Sequence, residues 1–162
     1  MISAIAAVSA GKRAMGKNNE LLWRIPGDLK RVREITMGHP LIMGRKTMEH
    51  IGGKSLPGRT NIVVTRNSSL SAIGFVVASS IEEALEKAKN AEGGEEVFVF
   101  GGAQIYSLAL PYTQRLYLTV VHDEPPADAF FPDYSEFTKV VEKSPSMSFD
   151  SISYRYLTVE RE

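Results

Sequence analysis

The stretch Val97-Phe98-Val99-Phe100-Gly101-Gly102 joins an apolar run to two glycines and is the best indication of the fold class. Its four consecutive apolar residues are typical of a strand that is buried on both faces, as in the middle of a parallel sheet. The two glycines then turn the chain into a helix, which is predicted from about Ala103 to Leu110 and is stopped by Pro111. A strand that passes directly into a helix is the repeating unit of α/β proteins.

The same alternation runs through the rest of the chain. Upstream, apolar or β-branched runs alternate with helical patterns, and Ser80 with Glu83 forms a capping box at the start of the clearest helix. Downstream, strands follow one another without helices. We therefore expect one α/β domain over residues 1–162, with a central, mainly parallel twisted sheet of about eight strands, helices on both faces and a C-terminal antiparallel hairpin. The predicted strands are 2–9, 41–44, 61–65, 74–78, 97–100, 115–122, 137–143 and 152–160, and residues 10–25 are expected to be a long connection.

Composition and charge exclude several classes of protein. The 162 residues include 19 Lys and Arg and 19 Asp and Glu, so the net charge gives no reason to expect nucleic acid or a membrane as partner. The chain has no cysteine, which excludes disulfides and fits a reducing compartment. The three histidines lack ligand spacing, so no metal site is expected. The apolar start, residues 1–8, is short and follows no basic residue, which favours a buried strand over a signal peptide.

One carboxylate lies among apolar residues in Leu22-Trp23-Arg24-Ile25-Pro26-Gly27-Asp28-Leu29. Pro26 suits the first position of a helix, and Leu29, Val32 and Ile35 recur at helical spacing. Asp28 is therefore expected in the first turn, at the edge of an apolar face. Two interpretations stay open from this stretch alone: an acid stabilised by the helix N-terminus, or a carboxylate walled by apolar groups that binds a ligand.

Three predicted strand ends carry groups that suit phosphate. Ligands of α/β sheets collect at the carboxyl ends of the strands, where glycines let the backbone approach closely. Each of these turns alone is a weak signal. The three together indicate a dinucleotide with an extra phosphate, which means NADP rather than NAD. They are Gly44-Arg45-Lys46-Thr47, Thr65-Arg66-Asn67 and Gly101-Gly102-Ala103-Gln104-Ile105-Tyr106.

An ordered set of motifs resembles the bacterial-type dihydrofolate reductases nearly from end to end. No single motif is decisive, but seven in this order and with the family's spacing are very specific. The resemblance favours the ligand-binding interpretation of Asp28. The motifs are Ile5-Ala6-Ala7, Trp23-x-x-Pro26-x-Asp28-Leu29, Pro40-x-Ile42-Met43-Gly44-Arg45-x-Thr47, Leu56-Pro57-Gly58-Arg59-x-Asn61, Gly101-Gly102-x-x-Ile105-Tyr106, Leu116-Tyr117-Leu118-Thr119 and Phe131-Pro132.

The resemblance implies reduction of 7,8-dihydrofolate to 5,6,7,8-tetrahydrofolate for one-carbon metabolism, by hydride transfer from NADPH to pterin C6 and protonation at N5. Asp28 would accept two hydrogen bonds from the pterin edge, with Thr119 beside it, and Arg59 would bind the α-carboxylate of the glutamate tail. A water near Leu21 and Trp23 would be the last proton donor, and apolar burial is expected to raise the pKa of Asp28. The expected pocket wall is Ile5, Ala6, Ala7, Leu29, Val32, Ile51, Leu56 and Phe100.

The resemblance also implies where NADPH binds. The pyrophosphate is expected at residues 101–106, and the 2′-phosphate near Lys46, Thr65 and Arg66. Ala7 and Met15 are expected to frame the nicotinamide under a lid segment formed by residues 10–24. The full expected set of cofactor contacts is Ala7, Met15, Gly16, Asn19, Gly44, Arg45, Lys46, Thr47, Thr65, Arg66, Asn67, Ser79, Phe100, Gly101, Gly102, Ala103, Gln104, Ile105 and Tyr106.

Two other functions stay open at this point. A pyrimidine reductase of riboflavin synthesis shares the fold and the cofactor, but the Trp23-to-Asp28 motif and Arg59 fit a pterin with a glutamate tail better. A catalytically silent NADPH-binding module would have no use for Asp28, Thr119 and Arg59 together. Val32 stands where the family usually has phenylalanine, so contact with substrate and with antifolate inhibitors is expected to be weaker. We further expect a cytoplasmic monomer.

Overall fold

The described chain forms one large sheet, one small sheet and four α-helices. The computed structural model describes residues 1–67, 69–70 and 72–162. Among these residues, no helix is long and apolar enough to cross a membrane. The helices are α1 (Pro26–Thr36), α2 (Arg45–His50), α3 (Ile81–Lys89) and α4 (Ala103–Ala109). The strands are β1 (Ile2–Ser9), β2 (Ala14–Lys17), β3 (Glu20–Leu21), β4 (Leu41–Gly44), β5 (Asn61–Val64), β6 (Phe75–Ala78), β7 (Val97–Gly101), β8 (Arg115–His122), β9 (Ala129–Phe130), β10 (Lys139–Lys143), β11 (Met147–Phe149) and β12 (Ile152–Glu160).

Strand β7 lies near the centre of the large sheet, as its apolar sequence predicts. It pairs in parallel with β1 on one side and with β4 on the other. Val97, Phe98 and Val99 have no exposed surface, because the strand is covered on both faces. The glycine turn passes directly into α4, and a single 3-10 turn follows at Leu110–Tyr112.

The order of the large sheet is β10-β12-β8-β1-β7-β4-β5-β6, with β11 paired to β12. All neighbours from β8 to β6 are parallel, whereas β12 is antiparallel to β8, β10 and β11. The predicted fold class is confirmed. The sequence prediction missed β11, a three-residue strand that reaches β12 through a turn at Asp150 and Ser151, both with positive φ.

Helices cover both faces of the sheet, as predicted. Helices α3 and α4 pack against one face through Ala84, Leu85 and Ile105, in the same buried cluster as Ile42 of β4. Helices α1 and α2 contribute to a second cluster that contains β4, β5 and β7 residues of the opposite face, including Phe98. The apolar sides of these short helices find their partner in the sheet, which supplies most of their stability.

The connection at residues 10–25 is not free of regular structure, and the prediction was wrong in this respect. It contains β2 and β3, which form a small antiparallel sheet with β9 in the order β3-β2-β9. Asn18 and Asn19, both with positive φ, form the two-residue turn between β2 and β3. Strands of two to four residues carry almost no periodicity, and β9 lies far along the chain, so local patterns could not predict the pairing.

Candidate active site

The structure brings Asp28 and Thr119 into direct contact. Asp28 lies in the first turn of α1, two residues after Pro26, and is half-buried. Thr119, on β8, is 3% exposed and lies beside Ala7 of β1 in the parallel register. The Thr119 hydroxyl donates to Asp28 Oδ1 over 2.5 Å, although the two residues are 91 positions apart. The fold therefore brings the two residues of the predicted pair together.

Burial controls the charge of Asp28. Desolvation raises the pKa of Asp28, while the hydrogen bond from Thr119 and the positive charge of Arg31 act in the opposite direction. A helix N-terminus alone would have lowered this pKa. The net rise is the expected property of a carboxylate walled by apolar groups, and the sequence-based expectation of a raised pKa is confirmed.

Most of the predicted pocket-wall residues belong to one apolar cluster, which contains side chains of α1 and of the sheet. Leu29 is an exception, because it is 48% exposed and does not belong to this cluster. Ala6 packs against the other apolar cluster, which contains Ala84 and Ile105. The predicted wall residues that share one cluster, with Ile5 buried and the others partly buried, are Ile5, Val32, Ile51, Leu56 and Phe100.

Arg59 is held by neutral oxygen acceptors. Its Nη1 donates to Thr36 Oγ1 and its Nε donates to the Pro57 carbonyl, each over 3.1 Å. Partial burial, and then the nearby charge of Arg33, lower the pKa of Arg59. A cation that is desolvated beside another cation gains from an anionic partner, which suits a carboxylate ligand.

The two glycine-containing turns lie side by side at the carboxyl edge of the sheet. Met43 pairs with Gly101 across β4 and β7, and a methyl group added at Gly102 would lie 3.7 Å from Thr47 Oγ1. Gly101 has a φ of +114°, and a Cβ atom added there would lie 3.3 Å from the Tyr106 ring, so a side chain would crowd that ring. Bare backbone therefore faces a hydroxyl at this edge, a cradle that fits a phosphate group of a nucleotide.

The neighbouring strand ends bring further predicted residues to the same edge. Gly44 pairs with Val64, and Val64 pairs with Ala78, so Thr65 and Ser79 follow at adjacent strand ends. Three predicted contacts already have partners within the chain. Arg45 donates to Glu49 over 2.8 Å, the Thr65 hydroxyl accepts from Asn67 N, and Ser79 donates to Glu83 Oε2 from both its amide and its hydroxyl. Lys46 and Arg66 are exposed.

The Ser79 contact also changes the predicted capping box. Ser80 Oγ accepts from Glu83 N as expected, but the Glu83 carboxylate returns to Ser79 rather than to the Ser80 amide. Lys87 lies 3.0 Å from the same carboxylate. Ser79 is therefore tied to the start of α3, which orients it at the sheet edge.

Tyr106 and Met15 have core contacts in addition to their predicted place beside the cofactor. Tyr106 is 6% exposed, and its hydroxyl donates to the Ile5 carbonyl over 2.6 Å. Burial and then the charge of Asp28 raise the pKa of Tyr106. Met15 is 7% exposed and belongs to the same apolar cluster as Tyr106. Leu21, by contrast, is 63% exposed at the end of the lid segment.

Sequence reasoning missed Asp123 and Arg31. Trp23 Nε1 donates to Asp123 Oδ2 over 3.0 Å, across 100 residues of sequence. Arg31 lies with its guanidinium 4.0 Å from the centre of the Tyr156 ring and 3.4 Å from Glu142 Oε1. Neither residue lies in a motif. Only the fold brings Asp123 to Trp23, whereas Arg31 lies three positions after Asp28 on the same helix. The helical spacing of Arg31 from Asp28 is a signal that could have found it.

A mainly parallel α/β sheet with glycine turns at its carboxyl edge, together with a half-buried carboxylate of raised pKa, is the arrangement expected of a nicotinamide-dependent reductase. The family model for dihydrofolate reductase matches residues 1–161, and the chain belongs to this family. It is an oxidoreductase that uses NADPH to reduce dihydrofolate, which decides against the pyrimidine reductase alternative.

Relatives and a solved structure agree with this assignment. A dihydrofolate reductase of Bacillus subtilis is 46% identical over 84% of this chain and 78% of its own length. One of Staphylococcus haemolyticus is 40% identical over 99% of this chain and 95% of its own length. The structure of dihydrofolate reductase from Enterococcus faecalis, complexed with NADP(H) and RAB-propyl, covers 100% of this chain and 96% of its own, with a TM-score of 0.90 at 33% identity.

Proposed function

We propose that this chain reduces 7,8-dihydrofolate to 5,6,7,8-tetrahydrofolate with Asp28 as the group that binds and polarises the pterin. The contact between Asp28 and Thr119 in an apolar cleft carries this proposal. Asp28 has a second carboxylate oxygen for the pterin ring N–H. Asp28 Oδ1, which already accepts from the Thr119 hydroxyl, has a second lone pair for the 2-amino group, and the Thr119 oxygen lies beside that group. Two donors on the substrate then meet two acceptors on the protein.

Arg59 is proposed to bind the α-carboxylate of the substrate's glutamate tail. Its contacts with Thr36 and Pro57 hold the guanidinium in place without neutralising it. The charge of Arg33 nearby adds to the attraction for an anion. Ile5, Val32 and Phe100 are proposed to enclose the ring system between these two polar ends.

A water beside Leu21 and Trp23 is proposed to deliver the proton to N5, because Asp28 binds too far along the ring edge to do so itself. The indole N–H of Trp23 is already donated to Asp123. An indole has no second donor, so Trp23 would act as an apolar wall for this water. The water would take its hydrogen bonds from the substrate and from polar atoms of the cleft.

The cofactor edge is proposed to hold NADPH, which supplies the hydride when it is bound. Gly101 and Gly102 would approach the pyrophosphate, with the Thr47 hydroxyl at its side. Lys46, Thr65 and Arg66 would surround the 2′-phosphate. The remaining predicted contacts would complete the site, namely Ala7, Met15, Gly16, Asn19, Gly44, Arg45, Asn67, Ser79, Phe100, Ala103, Gln104, Ile105 and Tyr106.

The proposed reaction is tested by NADPH oxidation in the presence of 7,8-dihydrofolate. We expect turnover that depends on both compounds, with tetrahydrofolate as the product. NADPH binding without oxidation would instead favour the silent binding module. We also propose that residues 1–162 act as one domain, as a monomer in the cytoplasm, and that antifolate inhibitors compete for the dihydrofolate cleft.

Arg66→Ala is expected to reduce the preference for NADPH over NADH by about tenfold, the effect of one charge-assisted hydrogen bond to phosphate. The ratio of kcat/KM for the two cofactors measures this preference. Lys89→Ala, which removes an exposed cation at the far end of α3, serves as the control and should keep the wild-type ratio. An unchanged ratio in Arg66→Ala would contradict the assignment of Arg66.

Arg31→Met is expected to move the pH dependence of turnover to higher pH. The positive charge of Arg31 lowers the pKa of Asp28, so its removal raises that pKa further. Asp28 then ionises at higher pH, so the part of the pH profile that reflects this carboxylate moves to higher pH. Lys30→Met removes an exposed cation from the same helix and should leave the profile in place. Identical profiles for Arg31→Met and Lys30→Met would disprove the coupling.

A further inference from the structure

The lid segment is joined to the chain that follows β8 by three carboxylates. Glu124 accepts from Gly11 N over 2.5 Å, and Asp128 accepts from Asn18 N over 3.0 Å. Both of these contacts use the backbone of the lid segment. The third contact is different, because Asp123 accepts from the indole of Trp23, a side chain that the proposed reaction uses directly.

Strand β8 fixes both ends of the segment from Trp23 to Asp28. Thr119 within this strand donates to Asp28, and Asp123 follows its last residue and accepts from Trp23. The strand pairs with β1 on one side and with β12 on the other, so it is a rigid support. The distance between the Asp28 carboxylate and the Trp23 indole is therefore set by β8 and not only by the four residues that lie between them in sequence.

The Trp23 indole packs against apolar side chains and also donates a hydrogen bond to Asp123. Its ring packs against the small cluster of Ile25, Val121 and Tyr154. Apolar packing tolerates rotation and sliding of a ring, whereas a hydrogen bond from its only N–H to a carboxylate has a direction. Asp123 thus determines the orientation of the ring.

We propose that Asp123 is a positioning residue for the reduction, which orients Trp23 and with it the end of the lid segment relative to Asp28. This inference rests on the proposed function of the Asp28 cleft. A misplaced indole would admit water beside the nicotinamide end of the cleft and slow the hydride step. Because Asp123 acts through Trp23, which is not among the predicted substrate-binding residues, kcat should fall more than KM for dihydrofolate rises.

Asp123→Ala should lower kcat by about tenfold, the loss expected for one hydrogen bond to a charged group. Asp123→Asn should recover most of this loss, because its amide oxygen still accepts from the indole. Glu92→Gln removes an exposed carboxylate elsewhere and should behave as wild type. In a Trp23→Phe background, which has no donor, Asp123→Ala should cause no further loss. An equal loss in both backgrounds would overturn the inference, because Asp123 would then act without Trp23.

The indole itself provides a readout that does not depend on turnover. Trp23 is the only tryptophan in the chain, so its emission reports this contact alone. Acrylamide should quench the emission more efficiently in Asp123→Ala than in wild type or Asp123→Asn, with thermal unfolding showing that all variants are folded. Unchanged quenching in a folded Asp123→Ala would refute the positioning role whatever the turnover. Absence of turnover in the wild type would instead count against the proposed function.

Discussion

Asp28→Asn is expected to lower the turnover of 7,8-dihydrofolate by ~10²–10⁴-fold, as the loss of a positioned acid–base group typically does. Asparagine is nearly isosteric and keeps one oxygen for the Thr119 hydroxyl. Asparagine carries no negative charge to stabilise the protonated pterin. Its NH₂ group also faces the hydrogen-bond donors of the substrate. The pH dependence due to Asp28 should vanish in the variant. Steady-state and single-turnover NADPH oxidation over a range of pH measure both effects.

The stability of Asp28→Asn serves as its control. Burial raises the pKa of Asp28, so the folded state binds the proton more tightly than the unfolded state does. The stability that protonated Asp28 contributes is present below the unfolded-state pKa and is lost as the pH rises through the folded-state pKa. At neutral pH the neutral asparagine should therefore unfold at the same or a higher temperature than the wild type. If Asp28→Asn kept the turnover and the pH profile of the wild type, Asp28 would have no role in the reaction.

Arg59→Gln is expected to raise KM for dihydrofolate by about 10²-fold, since two charge-assisted hydrogen bonds to the tail carboxylate are lost. The loss concerns binding in ground state and transition state alike, so kcat should change little. Arg59→Lys keeps the charge but not the planar fork, and it should fall between wild type and Arg59→Gln. Measurement of kcat and KM for the three proteins tests the assignment.

The sharpest control for Arg59 is a substrate without the glutamate tail. Wild type and Arg59→Gln should reduce 6-methyl-7,8-dihydropterin with similar kcat/KM, because this substrate has no carboxylate for Arg59 to bind. If Arg59→Gln instead weakened both substrates equally, Arg59 would be acting through the loop around Pro57 and Asn61 and not through the tail. NADPH binding provides the check that the variant is folded.

Local sequence patterns predict the architecture and the neighbourhood of several candidate site residues. The apolar run of β7, the glycine turn after it and the alternation of strands with helices predict the parallel sheet, because burial on both faces requires those residue types. Carboxyl ends of parallel strands meet at one edge, so the strand ends at Gly44, Thr65 and Gly101 were expected to be neighbours. Pro26 and the helical spacing of Leu29, Val32 and Ile35 place Asp28 in the first turn of α1.

Long-range contacts set the partners of these residues. Local patterns do not encode pairing over a hundred residues or more, which is why the pairing of β2 with β9 and the contact between Trp23 and Asp123 were missed. The sequence predicts the direction of the Asp28 pKa shift, but folding sets the balance between desolvation, which raises this pKa, and Thr119 and Arg31, which lower it. Desolvation and charge act through space, so the chemistry of this carboxylate belongs to the fold and not to its sequence motif.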